Sequence, residues 1–172
     1  MTDNMPPVAD MQTPELVALL ADLMREKKWM LTTAESCTGG LIAGACTEVS
    51  GSSEWFERGF VTYSNDAKIE MLGVDPALIV AHGAVSEPVA RAMVQGARTN
   101  SRALVAVGVT GVAGPTGGTA EKPVGTVWFG WDVNGQLRSE RRRFDGDRSA
   151  IRAATVRYAL QTLVTMIRNF PQ

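Results

Sequence analysis

Leu16, Leu19, Leu20, Leu23 and Met24 recur at three- and four-residue intervals, the repeat that gathers side chains on one face of an α-helix. Thr13 as cap, Pro14 at the first helical position and Glu15 in the first turn fix its start, so the pattern predicts a helix from Thr13 to about Lys28. At Met30 the period changes. Met30 to Ala34 is a short apolar and β-branched run, a strand, which closes in the turn Glu35-Ser36-Cys37-Thr38-Gly39-Gly40 before a second helical stretch, Leu41 to Val49. Gly59 to Tyr63 predicts the next strand, Asn65 to Leu72 a short helix stopped by Gly73, and Asp75-Pro76 another helical turn. Ser86 caps a helix whose apolar face carries Val89, Ala92, Met93, Gly96 and Ala97 and which stops around Asn100.

Ala103 to Val109 is continuously apolar, as suits a strand covered on both faces, and is the expected centre of the sheet. It runs into a loop, Thr110 to Thr119, too rich in glycine to be a packed element. Val124 to Trp131 and Leu137 to Phe144 flank Asn134-Gly135, the signature of a type I′ hairpin, so part of the sheet should be antiparallel. A last helix is expected from about Asp147 to Ile167, with Val156, Leu160, Leu163, Val164 and Ile167 as its apolar stripe. Alternation of helix and strand with one late hairpin predicts an α/β fold: a single three-layer α/β/α domain with a mixed, mainly parallel sheet and one antiparallel hairpin. Residues 1–12, polar with Pro6 and Pro7, read as a flexible leader, and residues 13–172 as the domain.

Composition narrows the function classes. A length of 172 residues, 45% hydrophobic and 20% charged, is one ordinary globular domain. Seventeen Lys and Arg against eighteen Asp and Glu leave no global basic field, which argues against nucleic acid or an anionic membrane as partner. No apolar segment has spanning length and no signal peptide is recognisable, so a cytoplasmic protein is expected, with Cys37 and Cys46 as free thiols. Two cysteines and one histidine, His82, are too few for an ordinary zinc site, and no metal is expected.

Candidate chemistry gathers beyond strand ends. Ser36 sits just past a strand's carboxyl end, where open α/β sheets bind ligands, and is a nucleophile candidate. Gly39 and Gly40 let backbone approach a ligand, and N–H groups from Thr38 to Gly40 would face an oxyanion or phosphate. The same letters equally describe Ser36 or Thr38 capping the next helix. His82 precedes Gly83 in what reads as a loop with no orienting carboxylate, so a histidine triad is not expected. Lys68 falls in the first turn of a helix, an unfavourable place for a cation; with partial burial this would depress its pKa and make it a base, with Tyr63 close by. A solvated lysine and a half-buried tyrosine fit as well. The loop glycines Gly111, Gly114, Gly117 and Gly118 could wrap a phosphate or serve as a plain connection; neither a Walker A motif nor a dinucleotide fingerprint is present. Arg148 could pair with an anionic substrate at the start of the last helix. Arg141 to Arg143 read as a solvated edge strand, Cys37 as a small buried residue, and Trp55, Phe56, Trp128, Phe129 and Trp131 as core or subunit contacts.

Taken in order, Ala34 to Gly40, Gly51-Ser52-Ser53, Trp55 to Asn65, His82 to Ser86, Gly111 to Pro115, Lys122 to Val127 and Gly146-Asp147-Arg148 closely resemble the CinA C-terminal domain family, over nearly the whole chain from Thr13. The resemblance implies hydrolysis of the carboxamide of nicotinamide mononucleotide to nicotinate mononucleotide and ammonia. It places the family's nucleophile on Ser36 and its supporting tyrosine and lysine on Tyr63 and Lys68, with no metal or organic cofactor. It also implies a stand-alone form and a homo-oligomer. Three other readings stay open: a catalytically silent nucleotide-binding module linked to competence or damage response, a serine amidase for another amide, and, weakest on charge, a nucleic-acid module. The second is similar to penicillin-recognising enzymes in Tyr63-Ser64-Asn65, but Gly39 stands where their Ser-x-x-Lys motif needs lysine.

Overall fold

In the computed structural model, which describes residues 6–171, a five-stranded sheet lies between two helical layers. The elements are α1 (Thr13–Lys27), β1 (Leu31–Glu35), α2 (Leu41–Thr47), β2 (Phe56–Val61), α3 (Asn65–Leu72), α4 (Pro76–His82), α5 (Glu87–Thr99), β3 (Val105–Gly111), β4 (Thr126–Val133), β5 (Gln136–Arg143) and α6 (Arg148–Arg168). The spatial order is β2-β1-β3-β4-β5. β2, β1 and β3 are parallel, and β4 is antiparallel to both its neighbours, so four of the five strands run one way. The expected α/β/α architecture is present, with β3, buried along all but its last residue, at the centre.

This order creates the place for a site. The chain leaves β1 through α2 to reach β2 on one side, then returns through α3, α4 and α5 to place β3 on the other side of β1. The carboxyl ends of β1 and β3 therefore lie side by side with their following loops diverging, the switch-point crevice of open α/β sheets. α1, α2 and α6 cover one sheet face around Met24, Leu31, Trp131 and Leu163. α5, with α3 and α4, covers the other around Ala34, Leu72, Val89 and Met93.

Local chemistry sets most boundaries. Ser64 accepts from the Ala67 N–H at 3.0 Å to start α3, and Gly73 ends it at φ +67°, a left-handed conformation glycine adopts freely. Asn134 and Gly135 both have positive φ, as a type I′ turn requires, and join β4 to β5. The cap of α1 is Gln12, one residue before the expected Thr13, because Glu15 reaches back to accept from the Gln12 N–H at 2.7 Å.

Packing extends before Thr13. Val8–Asp10 form a 3-10 turn, Met11 is 1% exposed, and Arg157 donates to the carbonyls of Met11 and Ala9 at 2.9 and 3.0 Å. Residues 8–12 of the stretch read as a leader are thus held on α6 through their own backbone oxygens. Pro6 and Pro7 are exposed and outside any helix or strand, and residues 1–5 of that reading lie outside the described residues. Among the described residues no helix is long and apolar enough to cross a membrane.

Candidate active site

Ser36 is the first residue past β1, and its N–H donates to the Val109 carbonyl at 3.1 Å, which ties the start of the turn to the neighbouring strand. It is 8% exposed. From α3, Lys68 reaches across with Nζ 2.9 Å from Ser36 Oγ and 2.9 Å from the Thr62 carbonyl oxygen. Lys68 is 1% exposed and both partners are neutral oxygens, so burial pushes its pKa down from the usual lysine range. A deprotonated Lys68 can donate to Thr62 while its lone pair accepts the Ser36 Oγ–H, which is the arrangement of a nucleophile with its base. The expectation from sequence combined a helix N-terminus with partial burial; the dominant cause in the structure is burial.

Both residues open on a cavity of about 300 Å³ in the switch-point crevice. Tyr63, Asn65, Arg148, Ala84, Val85 and Thr110 also line it, with the loop residues Gly111 to Gly114, Thr116 and Gly117. Tyr63 is 60% exposed, and its Oη accepts from Arg148 Nη2 at 2.9 Å. Arg148 Nη1 donates to the Gly114 carbonyl at 2.8 Å, so one guanidinium holds Tyr63 and the glycine loop together. Among the described residues Tyr63 has no hydrogen bond to Ser36 or Lys68.

Other expected site residues point elsewhere. Thr38, Gly39 and Gly40 do not line the cavity. The Gly39 N–H donates to the Ser36 carbonyl at 3.0 Å, and the Thr38 hydroxyl donates to Glu35 at 2.6 Å. Gly40, at φ +104°, backs onto Val61. The donors that open α2 are occupied as well: Ile42 and Ala43 give their N–H groups to the Glu35 carboxylate at 2.8 and 3.0 Å. An internal carboxylate thus takes the N–H groups of Ile42 and Ala43 in the first turn of α2. Gly118 packs against the Val124 backbone and faces away, whereas Gly111, Gly114 and Gly117 face the cavity.

His82 ends α4 rather than sitting in a loop, is exposed and lies off the cavity; its carbonyl accepts from Lys122 Nζ at 2.6 Å. Cys37 and Cys46 are buried free thiols, each pushed up to about 12 by burial, so neither is a ready thiolate. Trp55, Phe129 and Trp131 are core residues, and Arg141 to Arg143 lie on the edge strand β5.

Two residues that sequence reasoning passed over shape the turn. Glu35 is fully buried and spans it from the β1 side. From α6, Arg152 donates to the carbonyls of Cys37 and Thr38 at 3.1 and 3.2 Å. A charged residue ending an otherwise uncharged strand is the one local signal for Glu35; for Arg152 the available signal is its place four residues after Arg148 on the same helix.

Known proteins resemble this chain over most of its length. The nicotinamide-nucleotide amidohydrolase PncC of Enterobacter agglomerans is 50% identical over 157 residues, 90% of this chain and 96% of that protein. The protein of the same name from Pseudomonas putida is 53% identical over 151 residues, 88% of this chain and 94% of that protein. The crystal structure of the competence damage-inducible protein A from Klebsiella pneumoniae superposes with a TM-score of 0.90 at 38% identity, covering 94% of this chain and 100% of that one. A family model described as the CinA C-terminal domain matches residues 13–167, and the chain belongs to that family.

Proposed function

We propose that this chain is an amidohydrolase that converts nicotinamide mononucleotide to nicotinate mononucleotide and ammonia, with Ser36 as nucleophile and Lys68 as base. The observation that carries the reading is the 2.9 Å contact between Lys68 Nζ and Ser36 Oγ, with Lys68 buried and its pKa lowered, at the wall of a cavity. The substrate comes from the names of relatives 50% and 53% identical to the chain.

Neutral Lys68 takes the Ser36 hydroxyl proton as Oγ attacks the carboxamide carbon. The oxyanion that forms meets the N–H of Cys37, the residue after the nucleophile, which lines the cavity. Lys68 then passes its proton to the departing nitrogen, the C–N bond breaks, and ammonia leaves an ester on Ser36. Water attacks that ester, giving one proton to Lys68; the C–Oγ bond breaks, Ser36 recovers that proton, and the acid loses the water's other proton to solvent and leaves as the carboxylate. Tyr63 orients the substrate from the far wall, where Arg148 holds its hydroxyl. The substrate phosphate is assigned to the backbone of Gly111, Gly114 and Gly117 together with the N–H groups of Arg148 not spent on Gly114 and Tyr63.

The test is ammonia release from nicotinamide mononucleotide by the purified protein beside a folded Ser36→Ala variant. Release by the wild type and its loss in the variant are expected. Turnover retained in Ser36→Ala would remove the nucleophile. Binding of the nucleotide without release would make the chain a binding module, and neither binding nor release would direct the search to other amides.

A further inference from the structure

The turn that carries Ser36 is gripped by two opposite charges, and neither has any part in the mechanism above. Glu35, with no exposed surface, accepts from the Thr38 hydroxyl and from the N–H groups of Ile42 and Ala43. All three donors are uncharged, and among the described residues the hydrogen bonds to this buried carboxylate come from the turn and the helix it opens. Arg152 acts on the opposite groups and takes the carbonyls of Cys37 and Thr38 through Nε and Nη2. Thr38 is held by both, its hydroxyl by the carboxylate and its carbonyl by the guanidinium. The main chain of Glu35 also accepts from the Thr62 N–H at 2.8 Å, and the Thr62 carbonyl in turn receives Lys68 Nζ. Displacing the turn therefore disturbs both members of the Ser36–Lys68 contact.

We propose that Glu35 and Arg152 are positioning residues for the nucleophile: a carboxylate on the Thr38 hydroxyl and on the N–H groups that open α2, and a guanidinium on the C=O groups of the Ser36 turn, which together hold Oγ against Lys68 Nζ. The inference rests on the reading of Ser36 and Lys68 as nucleophile and base. Misplacing a nucleophile by about 1 Å costs on the order of a hundredfold in rate. The loss falls on kcat because the groups assigned to hold the bound substrate, Tyr63, Arg148 and the backbone of Gly111, Gly114 and Gly117, lie outside this turn.

Arg157 supplies an internal control. It lies on the same helix and also donates to two carbonyls, those of Met11 and Ala9, but these belong to the N-terminal segment and not to the site. Four variants, Glu35→Gln, Arg152→Met, Arg152→Lys and Arg157→Met, are compared for kcat and KM with nicotinamide mononucleotide. Each is also assayed for the rate at which a fluorophosphonate forms a P–O bond at Ser36 and releases fluoride, and for thermal midpoint.

Arg152→Met and Glu35→Gln are expected to lose kcat and labelling rate by roughly 10- to 100-fold with KM within about twofold. Arg152→Lys, which keeps the charge but has one nitrogen to place between two carbonyls, should recover part of both. Arg157→Met should lower the thermal midpoint and leave kcat alone. If Glu35→Gln does not fold, the Arg152 pair decides. The proposal is overturned if kcat and labelling stay within about twofold in Arg152→Met, if the loss is confined to KM, or if Arg157→Met loses kcat as much. A wild type that is labelled at Ser36 yet releases no ammonia from the nucleotide overturns the substrate and leaves the positioning role to be decided by the labelling rates. A wild type that does neither overturns both.

Discussion

Lys68 and Ser36 are 32 residues apart in sequence and 2.9 Å apart in space, joined between the first turn of α3 and the end of β1. A lysine placed there without a carboxylate as hydrogen-bond partner makes the site pH-dependent, because burial lowers its pKa and only the neutral amine accepts the serine proton.

Activity is expected to rise with pH through the lowered pKa of Lys68 and then level off. Lys68→Arg, which stays protonated across the range, should be inactive at every pH, and Lys68→Ala should lose about 10²- to 10⁴-fold in kcat. A pH series of kcat/KM for the wild type and both variants checks this; an acid limb that survives in Lys68→Ala would assign it to another group.

Stability should carry the same signature. Between the lowered native pKa and the ordinary lysine value, the unfolded chain holds a proton on Lys68 that the native chain does not, so native stability rises with pH across that window. Below the window the native state bears the full cost of the buried charge, and above it the contribution is constant. Lys68→Met has no such group. Denaturant midpoints from about pH 7 to about pH 11 should therefore show the wild type gaining on the variant as pH increases, the opposite of a lysine held in an ion pair.

Tyr63→Phe separates orientation from proton transfer. The Tyr63 hydroxyl is bonded to Arg148 and not to Ser36 or Lys68, so its removal is expected to raise KM by about tenfold or less and leave most of kcat, the size of one lost charge-assisted hydrogen bond. A fall in kcat as large as that of Lys68→Ala would place the phenol in the proton path.

Gly96→Ala tests the packing that carries Lys68. In a helix interior alanine is ordinarily better than glycine by about 1 kcal/mol, so propensity alone favours the change. Here a methyl group would run into the Leu72 carbonyl at the end of α3. The collision should decide the sign, with a loss of about 1–3 kcal/mol in chemical denaturation and a weakened site, since α3 must move.

Much of this was legible in the letters. Asn65–Leu72 and its stop at Gly73, the Asn134-Gly135 hairpin and the central position of β3 follow from local chemistry that operates within a few residues. Ser36 and Lys68 could be nominated from their places beside element ends, but their contact could not, because it depends on how α3 lies across the sheet. The small residues from Thr38 to Gly40 announce that backbone is accessible, but not that Gly39 spends its N–H on the Ser36 carbonyl. Glu35 escaped notice because it reaches seven and eight residues ahead to Ile42 and Ala43, beyond the three-residue reach of a capping box. Arg152 meets the turn across 115 residues of chain, a separation no local pattern encodes.

That last separation bears on how the molecule comes into being. A nascent chain that has emerged as far as Phe144 already contains all five strands, Ser36 and Lys68. It has neither Arg148 for Tyr63 and the glycine loop nor Arg152 for the serine turn. The helix that closes the site is made after every strand it packs on, so the serine turn gains its Arg152 contacts only when the whole sheet is already present in the chain.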